Sequence, residues 1–148
     1  MQLFTVDQAN RTLPLVRRIV EDIVSEHRRW QEALVELDML APAANSGLPN
    51  PRIAAIERRI LFIAREIEAF RRELEGLGIQ LKDGKRGLID FPSELDGRPM
   101  LLCWELGEAA VGFWHDEESG YAGRQPLSPT LVGGHPFPDA HHEEHHST

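Results

Sequence analysis

Apolar residues recur in steps of three and four along two stretches of the chain. Leu13, Val16, Val20, Ile23, His27, Trp30, Leu34 and Leu37 form the first series, and Ile53, Ile56, Ile60, Ile63, Ile67, Phe70, Leu74 and Leu77 the second. The average step of about 3.5 is that of a coiled-coil-like helix seam. Thr5 and Gln8 have the spacing of a capping box, which predicts a short helix ending near Arg11. Thr12 then caps again, so that Pro14 falls in the first turn of the long helix, where its missing N–H has no intrahelical partner. Arg17–Glu21, Arg18–Asp22, Arg28–Glu32, Glu68–Arg72 and Arg71–Glu75 are spaced i to i+4 on the polar faces, each pair worth a few tenths of a kcal/mol. Residues 41–51 hold three prolines, a glycine and two asparagines, the composition of a turn or loop. Two such helices with a short connection predict an antiparallel hairpin, each arm roughly 40 Å long at 1.5 Å per residue. Leu15, Ile19, Val24, Leu61 and Phe62 widen the apolar stripe beyond a two-helix seam, so a further surface is expected against it: the C-terminal part, a second subunit, or both.

After Gly76 and Gly78 the period changes to two. Strands are expected at 79–82 and 87–91 around a turn at Asp83-Gly84, then at 100–106 and 110–115 around Gly107-Glu108-Ala109. Residues 92–99 read as a loop turning at Asp96-Gly97. Beyond Leu127, Pro, Gly and His dominate without apolar periodicity, which predicts a His-rich tail over 128–148 that lacks fixed structure.

Composition narrows the function classes. The chain has 148 residues and a formal net charge of −8. At that length it hides roughly 70% of its unfolded surface, enough for a real core. The acidic balance argues against a nucleic-acid surface and a polybasic membrane patch; a nucleic-acid binder would rest only on arginines that acidic residues interleave. No apolar run is long enough to span a bilayer. A single cysteine and no secretory signal at the start point to a reducing cytoplasm.

Residues 82–126 concentrate the unusual chemistry: the only cysteine, the only tyrosine and two of the three tryptophans. The register of the hairpin 100–106/110–115 decides what meets what. A two-residue turn puts Trp104 with Val111, Phe113 and His115, and Cys103 with Glu105, Trp114 and Asp116. A three-residue turn puts Cys103, Glu105 and His115 on one face and both tryptophans on the other. In that arrangement Asp90, Cys103 and His115 are candidate ligands for a divalent metal such as Zn²⁺, and a Cys–His pair can activate sulfur. Against this, a lone cysteine is most often a small buried hydrophobe, and no CxxC, HxxxH or HExxH spacing accompanies it. Lys82, Asp83, Asp90, Glu108, Trp114, His115, Asp116 and Arg124 are candidates for binding a small polar ligand where loops converge, although aspartates in turns commonly bond their own backbone. Arg124 is suited to clamping a carboxylate such as Asp90 or Glu108. His27, polar within the helix seam, reads as a register-setting residue, or as a pH switch or a metal ligand shared across a dimer. His135 and HHEEHH at 141–146 suit loose metal chelation.

The segments LFTVDQANRTLP, LGIQLKD, GLIDFP, LLCWELGE and FWHDEESGYAGRQP closely resemble the domain-of-unknown-function family 2203, small cytosolic proteins of prokaryotes. The likeness covers about Leu3 to Leu127. It implies that 82–126 forms one unit and that the setting is the bacterial or archaeal cytoplasm. It supplies no catalytic residues.

The expected fold is α+β: a single domain over 1–127, with a long antiparallel helical hairpin (5–77) followed by a small, mostly antiparallel sheet of about four strands (78–127). The expected function is a self-associating binding or assembly module. It would dimerise through the hairpin and recognise a protein or small ligand through its sheet. The alternative is a metal-dependent, hydrolase-like enzyme using Asp90, Cys103, Glu108 and His115. The balance falls on the non-catalytic side, because an unbroken heptad pattern stands beside no recognised catalytic spacing.

Overall fold

The computed structural model describes residues 2–127. Helix α1 (Val6–Met39) is one uninterrupted element of 34 residues, about 51 Å long. The expected break near Arg11 does not occur. The capping box forms as expected: Thr5 Oγ1 accepts from the Gln8 amide at 3.1 Å and Gln8 Oε1 from the Thr5 amide at 2.9 Å. Thr12, however, donates its hydroxyl to the Gln8 carbonyl at 2.9 Å instead of starting a new helix. Pro14 therefore sits inside the helix, where it removes a hydrogen bond and typically costs about 3 kcal/mol. Ala9, Leu13 and Val16 are buried on either side of it, and Asn10 ties this turn to Val111, in the connection that leads into the fourth strand. Its Oδ1 accepts from the Val111 amide at 2.7 Å and its Nδ2 donates to the Val111 carbonyl at 3.3 Å. Packing outweighs the local penalty.

The connection contains one short helix, α2 (Ala41–Ala44). Asn50 then caps α3 (Pro51–Gly76), accepting from the amides of Arg52 and Ile53. Helices α1 and α3 form the expected hairpin, with Glu36 of α1 paired to Arg59 and Arg52 of α3. Of the stripe beyond the seam, Ile19 is buried and Val24 packs on the core, whereas Leu15, Leu61 and Phe62 stay exposed.

The sheet has five strands where about four are expected: β1 (Gln80–Asp83), β2 (Leu88–Leu95), β3 (Arg98–Glu105), β4 (Phe113–His115) and β5 (Gln125–Pro126). They lie in chain order, each antiparallel to the next. The fifth pairs only two residues, Gln125 with Trp114 and Pro126 with Phe113, too few to show a period. The segment 92–99 is not a loop but the continuation of the β2/β3 hairpin, which turns at Asp96-Gly97 alone. Both residues have positive φ, 52° and 78°, as the two-residue turns that fit strand twist require. Pro92 is tolerated inside β2 because its nitrogen points past the end of β1. On that side its carbonyl accepts from the Phe4 amide at 2.8 Å.

The two faces of the sheet are both covered, by different things. Ile89, Phe91, Leu102 and Trp104 face α1 and close the main core with Leu13, Val16, Val20 and Ile23. The other face carries Leu88, Asp90, Leu101, Cys103 and His115, all buried. It lies under the segment that follows β4, where Tyr121–Gly123 make a single 3₁₀ turn. Burial on both sides explains why β3 reads as an almost continuous apolar run.

Candidate functional site

The hairpin of β3 and β4 pairs Cys103 with Phe113, Leu102 with Trp114 and Leu101 with His115. This is the register of the three-residue turn, although the strands separate beyond Cys103 and the connection is longer. Cys103 and His115 therefore share the outer face, and Trp104 and Trp114 the helix-facing one. Asp90, opposite Cys103 on β2, completes a trio. One ligand atom from each of Asp90, Cys103 and His115 lies within 4.8 Å of the others, the one such group among the described residues.

Hydrogen bonds fix the protons in this trio. His115 Nδ1 lies 2.7 Å from the Asp116 carbonyl oxygen. A carbonyl only accepts, so Nδ1 carries a proton. His115 Nε2 lies 3.0 Å from Asp90 Oδ1, and that contact needs a second proton between two atoms that otherwise both accept. Asp90 and His115 thus share one proton and form a pair without net charge. This is how two ionisable groups at 1% and 3% exposure avoid the cost of isolated buried charge. Cys103 is free and buried. Burial, with the Asp90 carboxylate adding to it, pushes its thiol up to about 12. It is held as S–H, which disfavours nucleophilic chemistry.

A depression of about 240 Å³ opens above the pair. Asp90 and His115 meet it, Lys82, Leu88 and Leu101 line it, and Glu117, Gly120 and Tyr121 form its outer wall. The loop over the sheet is pinned by charge. Arg124 Nη2 reaches both carboxylate oxygens of Glu108 at 2.9 Å, and its guanidinium stacks 3.8 Å above the Phe113 ring. Burial opposes the charge on Arg124, yet its bonds to Glu108 and Tyr121 hold it protonated more firmly than usual. Arg86 grips Glu105 through two nitrogens and lies over Tyr121, whose hydroxyl donates to Glu105 at 2.9 Å.

The other sequence candidates separate accordingly. Arg124 closes on Glu108, not on Asp90. Glu108 also accepts from the Glu105 amide at 2.7 Å, so both belong to the latch. Asp83 Oδ1 accepts from the amides of Lys85 and Arg86, and Asp116 Oδ1 from those of Glu118 and Ser119; both are turn residues. The bond from the Ser119 amide holds the Asp116 carboxyl below its ordinary value. Trp114 packs against the main core. His27 lies 5.6 Å from Trp30 between ring centroids, with its Nδ1 buried and without a hydrogen-bond partner. His135 and the histidines at 141–146 lie outside the described residues. Sequence reasoning passed over Leu88, Leu101, Glu117 and Tyr121 as cavity residues. Strand alternation from Asp90 and Cys103 would have found the two leucines, but nothing in the sequence folds the loop of Glu117 and Tyr121 back over them.

No helix among the described residues is long and apolar enough to cross a membrane. Compared with known families, residues 2–127 match the one described as uncharacterized conserved protein (DUF2203). No curated protein and no solved structure matches the chain.

Proposed function

The chain belongs to that family of uncharacterized conserved proteins, and from this premise we propose that it is a binding module. Its helical arm self-associates, and the outer face of its sheet takes a small polar ligand. The observation that carries the reading is the cavity of about 240 Å³ floored by the Asp90–His115 pair. Buried polar groups converging on a concave, partly apolar space are the usual signature of a ligand site. Around it, Glu108, Arg124, Asp83 and Asp116 are engaged in structural bonds, which leaves Lys82 and Glu117, above the mutually bonded Asp90–His115 floor, to meet a ligand. Self-association is supported by Leu15, Leu61 and Phe62, which remain 53%, 53% and 61% exposed after intramolecular packing. A second hairpin would cover them in a four-helix arrangement.

The ligand half is tested on metal-free and on zinc-loaded protein with a panel of small mono- and dicarboxylates and amines, reading the melting temperature and the ring resonances of Tyr121. Binding moves both, and Asp90→Asn abolishes the response. A panel that moves neither at millimolar concentration removes this half. The assembly half is tested by light scattering at high micromolar concentration, where a dimer is expected and Phe62→Glu shifts it to monomer. A monomeric parent protein removes it. A second reading, a metal-dependent hydrolase, is favoured by the Asp90, Cys103 and His115 trio. Turnover of an activated ester by zinc-loaded protein, lost in His115→Gln, is its distinguishing sign.

A further inference from the structure

We propose that Asp90, Cys103 and His115 form a three-ligand site for a thiophilic divalent metal ion of the Zn²⁺ or Co²⁺ type, with the fourth coordination position facing the cavity. This rests on the reading of that cavity as a ligand site and names what the ligand would bind to. Four observations converge. The three side chains are of the types that bind zinc, one sulfur, one imidazole nitrogen and one carboxylate oxygen, and their ligand atoms lie within 4.8 Å of one another. They come from three adjacent strands whose register sets Asp90 opposite Cys103 and His115 two residues along from Phe113, so backbone pairing holds the spacing. His115 Nδ1 is already committed to the Asp116 carbonyl at 2.7 Å, the outer contact that orients an imidazole and leaves Nε2 as the ligand atom. Lastly, Asp90 and His115 border the open depression while Cys103 lies wholly beneath it. An ion among them therefore keeps one side toward solvent or an incoming carboxylate.

The charges balance. On binding, Cys103 loses its thiol proton and the Asp90–His115 pair loses its shared proton, both to solvent. A thiolate and a carboxylate then neutralise the dication around a neutral imidazole. No electron transfer is involved. The ion replaces a proton at the floor of the cavity and turns an uncharged pair into a Lewis-acidic centre. Its chemical preference is then for ligands that offer an oxygen or nitrogen donor.

Cobalt titration of the full chain, kept reduced, tests this directly. Cys103 is the only cysteine, so a thiolate-to-cobalt charge-transfer band in the near ultraviolet reports this site alone, and ions held by the tail histidines do not contribute to it. The expected result is a band that saturates at one equivalent and is displaced by Zn²⁺. It disappears in Cys103→Ser and weakens at least tenfold in apparent affinity in Asp90→Asn. Absence of the band in the parent protein overturns the proposal. So does a band of undiminished affinity in Asp90→Asn and His115→Gln, both checked for folding by circular dichroism, because it would mean sulfur binds without its partners. If the cobalt band is absent while carboxylates still move the Tyr121 resonances of metal-free protein, only the metal inference fails. If the band forms and no carboxylate or amine binds, the small-ligand reading fails and the metal site stands.

Discussion

Burial takes Cys103 out of ordinary thiol chemistry and ties its titration to stability. Its folded value of about 12 lies above the ordinary 9.0. Between those values the unfolded chain releases the thiol proton and the folded protein keeps it. The metal-free protein should therefore lose stability as the pH rises above about 9, by up to about 1.4 kcal/mol per pH unit. Cys103→Ala should flatten that slope in denaturant melts taken across alkaline pH. At the neighbouring pair, Asp90→Ala leaves His115 buried without its partner and should cost about 3 kcal/mol, the range for breaking a buried pair. Asp90→Asn should cost under about 1 kcal/mol, because the amide can donate to His115 Nε2 and keep the bond. Urea unfolding at neutral pH separates the two variants.

Among the elements, the turn before β2 sets a steric limit against α1. Gly87 has a φ of +71°, and a Cβ there would stand 2.8 Å from Leu106 Cβ, 2.9 Å from Val20 Cγ1 and 3.0 Å from Val24 Cγ2. Gly97, in the Asp96-Gly97 turn, has a similar φ of +78° with nothing within 4 Å. Gly97→Ala should cost about 1 kcal/mol from backbone strain alone, and Gly87→Ala about 3 kcal/mol or more, with crowding against α1 added to the same strain. Thermal melts of the two variants would show the difference. The same elements mark what could be read from the residues alone. Heptad spacing located α1, α3 and their hairpin, and alternation located four strands. The register that brings Cys103 and His115 together stood as one of two alternatives, because face parity depends on a turn length that no side chain declares. Continuity of α1 through Pro14 was illegible for a related reason: the compensating contact, Asn10 to Val111, is 101 residues away. The cavity's outer wall was hidden too, since a loop reveals its path only through what it lies on.

At the scale of the whole molecule, α1 serves two masters. Its residues from Ala9 to Ile23 contribute six of its seven buried positions, and only Ala33 is buried beyond them. The first half is clamped between α3 and the sheet, Val24 and His27 still reach the turn that joins β1 to β2, and the residues beyond pack mainly along α3. Amide hydrogen exchange should show this as a gradient, with slow exchange near global unfolding around Val16–Ile23 and exchange at least a hundredfold faster beyond Leu34. Uniform protection along α1 in dilute solution would instead mean that the outer half is covered by another copy.

The N-terminal tether to the sheet also joins residues that are synthesised far apart in time. Phe4 donates to Pro92 and accepts from Ser93, 89 residues later. During synthesis the first helix leaves the ribosome long before the strands that cover it exist. Until then its only available partner is α3, and its buried face waits with Leu13, Val16 and Val20 open to water. The face of the helix made first is thus completed by the part of the described chain made last.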